Sequence, residues 1–179
     1  AKSGDVIVYN DFVSKRGILT ANATTPYIVS FFNLAETGPV VIEMPEGEVA
    51  GFVNDMWQRP VTDMGQTGPD KGKGGRYLIV GPGQKVDNTD GYYVVEPLTS
   101  NIFWGFRALS KEAGAVEQML GAMKIYPMAQ KESPAKVRLV DVKGKAWEQT
   151  QPRGLAYWQV LSDILHQEPV QGRDKFFLA

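Results

Sequence analysis

The first two thirds of the chain alternate between short apolar runs and residues that favour turns. From residue 5 to residue 109, runs rich in valine, isoleucine and aromatic residues are separated by glycine, proline, asparagine and aspartate. This pattern is typical of β-strands joined by turns. It predicts seven strands, at residues 6–9, 27–33, 39–44, 49–56, 76–80, 92–96 and 101–109.

Two of these runs are too continuously apolar for a sheet that has one face in water. The segments Val40-Val41-Ile42 and Leu78-Ile79-Val80 have no polar residue at alternate positions, which indicates strands that are covered on both faces. Two packed layers of strands provide such cover. The predicted architecture is therefore a two-layer antiparallel sandwich or barrel.

The spacing of apolar residues becomes helical after residue 109. A first amphipathic helix is predicted from apolar side chains at helical spacing, namely Val116, Met119, Leu120 and Met123. Ser110 is the candidate cap of this helix. A further strand is predicted at 136–142, and a second helix from about Pro152 to Glu168-Pro169. Strands followed by helices indicate the α+β class, β-dominated, with C-terminal helices.

Composition and charge narrow the classes of function. The 179 residues carry 19 basic and 20 acidic side chains, so the net charge of −1 creates no strong field that would attract nucleic acid. There is no cysteine, and His166 is the only histidine, which excludes cysteine and multi-histidine zinc sites. No apolar run reaches the roughly 20 residues of a transmembrane helix. We therefore expect no nucleic-acid partner and no transmembrane segment.

A glycine-rich stretch at residues 57–83 is the most unusual part of the sequence. It holds seven of the 19 glycines. Because glycine adopts backbone conformations that are closed to other residues, the stretch is predicted to be a long surface connection, and long connections are often functional. Its basic segment 72–76 precedes a strand, whereas phosphate-binding loops follow a strand and open a helix. A nucleotide site is therefore not predicted.

Polar and aromatic residues cluster at three points along the strand-rich region. The clusters combine amide, guanidinium and aromatic side chains, a mixture that orients a small polar or anionic ligand without a nucleophile. We expect one ligand-binding groove beside the glycine-rich stretch. The residues expected to line it are Asn22, Tyr27, Trp57, Arg59, Arg76 and Asn101.

A hydrolase-like enzyme is the alternative function. Asp55 and Asp63 flank Arg59 in the sequence. They would activate water directly, or through a bound Ca²⁺, Mg²⁺ or Mn²⁺ ion, if both carboxylates faced one cavity. Without that convergence no metal or other cofactor is expected. Surface carboxylates that pair with Arg59 are the simpler interpretation.

Several motifs resemble those of the bacterial family called "domain of unknown function 1254". They are Asn22-Ala-Thr24-Thr25-Pro-Tyr27, Gly65-Gln-Thr-Gly-Pro-Asp-Lys-Gly, Gly75-Arg76-Tyr77-Leu78-Ile79-Val80-Gly81-Pro82-Gly83 and Thr99-Ser-Asn101-Ile-Phe-Trp104-Gly-Phe-Arg107. The resemblance covers about residues 17–126. Thr24 stands where many members have aspartate, so the resemblance does not support a site centred on a carboxylate there.

The resemblance implies a two-domain protein. Residues 1–127 would form the β-rich domain, and residues 128–179 a helical connector to a second, jelly-roll-like domain ("domain of unknown function 1214") that this sequence lacks. The implied location is the bacterial periplasm or cell envelope, with the cytoplasm as the alternative. We therefore expect a ligand-binding or assembly module of an envelope protein. Its expected partners are its own C-terminal domain, a second copy of the chain and a small ligand.

Overall fold

The computed structural model describes residues 3–15, 18, 20–145, 151–169 and 171–172. Within these residues the strands are β1 (Val6–Tyr9), β2 (Tyr27–Asn33), β3 (Val40–Met44), β4 (Val49–Asp55), β5 (Pro60–Gly65), β6 (Gly75–Ile79), β7 (Tyr93–Val95), β8 (Asn101–Ala108), β9 (Lys124–Pro127) and β10 (Leu139–Asp141). The α-helices are α1 (Leu34–Thr37), α2 (Ala115–Ala122) and α3 (Leu155–Gln167). All seven strands expected between residues 5 and 109 are confirmed, with ends shifted by at most one residue.

The strands form two sheets that pack face to face. The larger sheet has the order β10-β1-β2-β8-β4-β5, and the smaller has the order β7-β6-β3-β9. Neighbouring strands are antiparallel, except that the edge strands β10 and β7 run parallel to β1 and β6. Neither sheet closes on itself in the described part of the chain. The predicted α+β sandwich is therefore confirmed, but its sheets are mixed at their edges.

The core between the sheets is apolar and closely packed. Trp104 of β8 is completely buried there, and its Nε1 donates a hydrogen bond to the sulfur of Met64 at 2.9 Å. A second cluster, which contains Val41 and Leu78, covers the other face of the smaller sheet. The central strands β3 and β6 are thus buried on both sides, which explains their continuous apolar runs.

The glycine-rich stretch is not the long surface connection that its composition predicts. It contains β5 and β6, so its irregular parts are residues 57–59, the turn at 66–74 and residues 80–83. The buried Asp70 carboxylate fixes this turn, because it accepts a hydrogen bond from the Gly65 N–H at 2.8 Å and another from the Tyr77 hydroxyl. Burial raises the pKa of Tyr77, and the contact with Asp70 raises it further. The stretch is therefore an ordered part of the sandwich.

The C-terminal third differs from its prediction at the start of α2. This helix begins after Gly114, whose φ is +79°, and Ser110 does not cap it. The strand predicted at 136–142 is present as the shorter β10, which joins the larger sheet beside β1. The predicted end of α3 before Glu168 and Pro169 is confirmed. Among the described residues, no helix has the length and apolarity needed to cross a membrane.

Candidate functional site

The residues expected to line one groove lie in different parts of the structure. In the antiparallel pair of β2 and β8, Tyr27 is opposite Arg107, and Asn33 is opposite Asn101. Tyr27 and Asn101 are therefore at opposite ends of the pair, about 20 Å apart along the strands. Asn22 belongs to the Tyr27 end, because its N–H donates to the Tyr27 hydroxyl at 3.0 Å.

The other three predicted residues also lie in two different places. Trp57 and Arg59 lie in the turn between β4 and β5, near the Asn101 end of the larger sheet, because Asp55 of β4 is paired with Ile102 of β8. Arg76 lies on β6 in the smaller sheet. The expectation that all six residues line one groove is therefore wrong, although the role of each in binding stays a prediction.

The Asn22 segment holds Tyr27 in place. Asn22 Oδ1 accepts hydrogen bonds from the N–H groups of Thr24 and Thr25, both at 3.0 Å. Lys15 is buried, and its Nζ donates to the carbonyl oxygens of Asn22 at 3.2 Å and Thr25 at 2.5 Å. The same Nζ lies 4.7 Å from the centre of the Tyr27 ring. Burial lowers the pKa of Lys15.

Asp55 and Asp63 do not face one cavity. Asp55 is buried on the core side of β4; its carboxylate accepts hydrogen bonds from the N–H groups of Trp57 at 2.8 Å and Arg59 at 3.0 Å, and from Arg59 Nε at 2.5 Å. Asp63 is exposed and is the β-pairing partner of Phe52. Phe52 and Asp63 therefore lie on the face of the sheet opposite to that of Asp55. The convergence required for the hydrolase-like alternative is therefore not formed by this pair.

Arg76 belongs to a cluster of charged side chains on the smaller sheet. Its guanidinium lies 4.6 Å from the centre of the Tyr92 ring, and β-pairing places it opposite Glu43. Glu43 also accepts a hydrogen bond from the Tyr126 hydroxyl at 2.6 Å and forms an ion pair with Lys124 at 3.2 Å. Burial raises the pKa of Tyr126, and the bond to Glu43 adds to the rise. These contacts account for Arg76 without a ligand.

Asn101 binds a carboxylate of the chain itself. Its N–H and its Nδ2 donate to Glu168 Oε1 at 2.8 and 2.7 Å, and the Ser100 N–H donates to Glu168 Oε2 at 2.6 Å. Glu168 follows α3 directly and is buried. The sequence predicts Asn101 as a site residue but does not indicate that Glu168 is its hydrogen-bond partner.

A groove on the outer face of the larger sheet brings together residues that could bind a ligand. Its volume is about 360 Å³, which is within the usual range for small-molecule sites. We call it the aromatic groove and define it by the side chains of Tyr9, Tyr27, Val29, Phe31, Phe52, Phe103 and Arg107. Of the six predicted residues, only Tyr27 lines it.

The shape of the aromatic groove follows from strand register. Val29, Gly105 and Phe52 form one row across three neighbouring strands, and Gly105 at its centre has no side chain. The next row contains Phe31 and Phe103, whose rings stack with centroids 4.9 Å apart. Phe52 meets Phe103 edge to face at 5.1 Å. The Val29 and Phe52 side chains lie over Gly105, and the aromatic rings around them form the walls of the groove.

One end of the aromatic groove is positively charged. The Arg107 side chain is exposed, and its guanidinium lies 5.7 Å from the centre of the Tyr27 ring. The ammonium of Lys15 lies near the same ring. Among the described residues, neither Arg107 nor Lys15 forms an ion pair with a carboxylate. This end can therefore bind an anionic group beside the aromatic surface.

The sequence contains a signal that could have revealed the groove. In β2 the residues Tyr27, Val29 and Phe31 alternate with the core residues of the strand, and Phe103 and Arg107 alternate similarly in β8. A strand with apolar residues on both faces is normally predicted to be buried on both faces. The outer face of β2 is nevertheless open, and Phe31 is 53% exposed. The sequence does not show which strands are covered by a second layer of the fold.

The described residues contain no cluster of three or more histidine, aspartate or glutamate side chains that could hold a metal ion. His166 lies on the exposed surface of α3, and its Nδ1 is 2.7 Å from the carbonyl oxygen of Ser162, one turn earlier in the helix. The contact accounts for His166 within its own helix.

Comparison with known families decides the classification. The family described as "Protein of unknown function (DUF1254)" matches residues 5–127. The chain belongs to this family. None of the curated proteins matches the chain. The family match ends at residue 127, and by its description it assigns no activity.

A solved structure shows the same fold at low sequence identity. The VPA0106 protein from Vibrio parahaemolyticus superposes with a TM-score of 0.66 and is 13% identical to this DUF1254 chain. The match covers 89% of this chain and 40% of the Vibrio chain. This chain therefore spans less than half the length of that protein. The similarity supports the sandwich architecture and carries no activity with it.

Proposed function

We propose that this DUF1254 domain is a binding module that takes a small ligand with a flat apolar body and an acidic group. The ligand would occupy the aromatic groove, with its acidic group at Arg107. The observation that carries the proposal is the exposed guanidinium, without a carboxylate partner among the described residues, beside an aromatic surface on which Phe31 is exposed and Tyr27, Phe52 and Phe103 are partly buried. Strands rather than loops hold these side chains, which favours a preformed site.

The chemistry of the groove favours an aromatic or similarly flat ligand. Phe31 is 53% exposed although it is apolar, so a ligand that covers its ring removes apolar surface from water. Covering about 150 Å² of such surface contributes about 4 kcal/mol before the cost of association. Arg107 would add a charged hydrogen bond to a carboxylate. Neutral polar ligands would lack this contribution.

Calorimetric titration with 2-naphthoate and with its neutral analogue 2-naphthylmethanol tests the proposal. We expect the wild-type protein to bind the acid more tightly than the alcohol. Arg107→Gln should weaken binding of the acid about tenfold, the effect of losing about 1.5 kcal/mol of charged hydrogen bonding, and should change binding of the alcohol less than about twofold.

The matched control is Lys85→Gln, which removes an exposed cation outside the groove. It should leave the affinity for both compounds unchanged. The proposal fails if the wild-type protein binds neither compound, or if Arg107→Gln weakens the acid and the alcohol equally.

A second role, in assembly, is favoured by α3. No residue of this helix is buried, although it carries several large apolar side chains. Leu155 is 82% exposed, and Trp158 is 64% exposed. Exposed apolar faces of this kind mark interaction sites. Because the similar Vibrio chain continues well beyond the matched region, we propose that α3 packs against a further domain of a longer chain.

Sedimentation velocity of the 179-residue chain tests the choice of partner. If a further domain covers α3, the chain alone should sediment as a monomer at micromolar concentration, and Trp158→Glu should not change its sedimentation coefficient. A dimer that Trp158→Glu dissociates would instead identify a second copy of the chain as the partner. The periplasmic or envelope location stays a prediction, which fractionation of cells that produce the native protein would test.

A further inference from the structure

We propose that residues 99–101 form a second binding site, specific for a carboxylate, and that Glu168 is its intramolecular occupant. Two backbone N–H groups and one side-chain amide donate to the Glu168 carboxylate, from Ser100 at 2.6 Å and from Asn101 at 2.8 and 2.7 Å. Hydrogen bonds to an ionised acceptor are short and are about twice as strong as neutral ones. A free carboxylic acid would compete with Glu168 for the same three donors.

The donors are held in place independently of Glu168. The Thr99 hydroxyl is completely buried; it accepts a hydrogen bond from the Met56 N–H at 2.9 Å and donates to the Asn101 carbonyl at 2.7 Å. The Ser100 carbonyl accepts from the Leu34 N–H at 2.8 Å. The segment is thus tied to two other parts of the fold. Its N–H groups should keep their direction when Glu168 leaves, which is what a binding site requires.

Glu168 can leave because the described residues around it have few contacts with the two sheets. No residue of α3, which precedes it, is buried. The only other hydrogen bond from the described residues beyond Glu168 to the body runs from Gln171 Nε2 to the Leu98 carbonyl, at 2.8 Å. The helix is therefore fastened to the sheet mainly at its C-terminal end. Displacing the Glu168 carboxylate would release the whole helix.

The surroundings of the site define the competing acid. Asn101 also lines a cavity of about 580 Å³, together with apolar side chains that include Met56, Ile102 and Phe103. A short apolar tail would fit there. Glu36 lines the same cavity, and its negative charge disfavours a second carboxylate on the ligand. The expected ligand is therefore a monocarboxylic acid with a compact apolar tail. Its cavity shares Phe31 and Phe103 with the aromatic groove, but its carboxylate site lies at the other end of β8 from Arg107.

Nuclear magnetic resonance of the Ser100 and Asn101 amides tests the proposal with hexanoate, and with hexanol as the neutral probe. A tethered carboxylate has an effective concentration in at least the millimolar range. We therefore expect about 0.1 mM hexanoate, well below that range, to leave both amide signals of the wild-type protein in place. In Glu168→Ala, hexanoate should shift both signals saturably, with at least tenfold higher affinity than in the wild type. Hexanol should shift neither.

Two further variants keep the test decisive. Glu132→Ala removes a glutamate that is exposed and distant from the site, and it should behave as the wild type. If Glu168→Ala does not fold, Glu168→Gln preserves the size of the side chain and should still open the site. Failure of hexanoate to shift the two amides in a folded Glu168 variant would overturn the proposal, as would equal binding by the wild type. Shifts confined to residues around Arg107 would concern the aromatic groove and would also overturn it.

Discussion

Gly65→Ala should destabilise the protein by about 4 kcal/mol, one of the two largest effects that we expect from single substitutions. Gly65 ends β5 with φ at +78°, and a Cβ there would lie 2.3 Å from the Val49 carbonyl oxygen and 2.5 Å from Val49 Cγ2. The positive φ costs about 1 kcal/mol for alanine, and the overlap with backbone costs about 3 kcal/mol because neither strand can move freely. Urea unfolding measures the difference.

Gly83→Ala is the matched control for this substitution. Gly83 also has a positive φ, +75°, but a Cβ there would meet no atom within 4 Å. We expect it to cost only about 1 kcal/mol, since only the backbone conformation is unfavourable. Equal effects of the two substitutions would show that Gly65 does not lie against Val49, and that the glycine-rich stretch is not an ordered part of the sheet.

Asp55→Ala should destabilise the protein by about 3 kcal/mol. The buried carboxylate accepts three hydrogen bonds in the turn between β4 and β5, two from backbone N–H groups and one from Arg59 Nε. Its removal leaves a partly buried guanidinium without its counter-ion, and Arg59 Nη2 is already buried without a hydrogen-bond partner. Removing one partner of a buried ion pair lowers the stability more than removing one partner of an exposed pair. Thermal and urea unfolding give the change in stability.

The control for Asp55 is Asp63→Ala, which removes the other carboxylate of the alternative enzyme hypothesis. Asp63 is exposed, so the change in stability should be within about 0.5 kcal/mol. If the two substitutions destabilised the protein equally, the structural role assigned to Asp55 would be contradicted.

The sequence predicts most of the strands but misses β5 and β9. The seven strands predicted between residues 5 and 109 are apolar runs bounded by turn residues, so local pattern was enough to find them. β5 lies at a sheet edge and has only two buried residues, Met64 and Gly65, so it shows no clear alternation. β9 follows α2 directly, with only Met123 between them, and its apolar residues continue the helical spacing. Both depend on pairing with distant strands, which no local pattern reveals.

The site was harder to predict than the fold because it depends on register. Tyr27 and Asn101 belong to paired strands, but the antiparallel register puts them at opposite ends. The partner of Asn101, Glu168, is 67 residues away in the sequence. The aromatic groove forms where alternate residues of β2, β8 and β4 face outward, and their positions relative to one another depend on the pairing of the three strands. Each of these contacts joins residues that are far apart in the sequence, so the pattern of one segment cannot predict it.

A crystal structure of the protein with 2-naphthoate tests the central claim most directly. The account predicts naphthalene density in the aromatic groove, against Phe31 and Phe103, with the carboxylate about 3 Å from the Arg107 guanidinium. Naphthoate bound elsewhere while the aromatic groove stays free, or no bound naphthoate at saturating concentration, would contradict it.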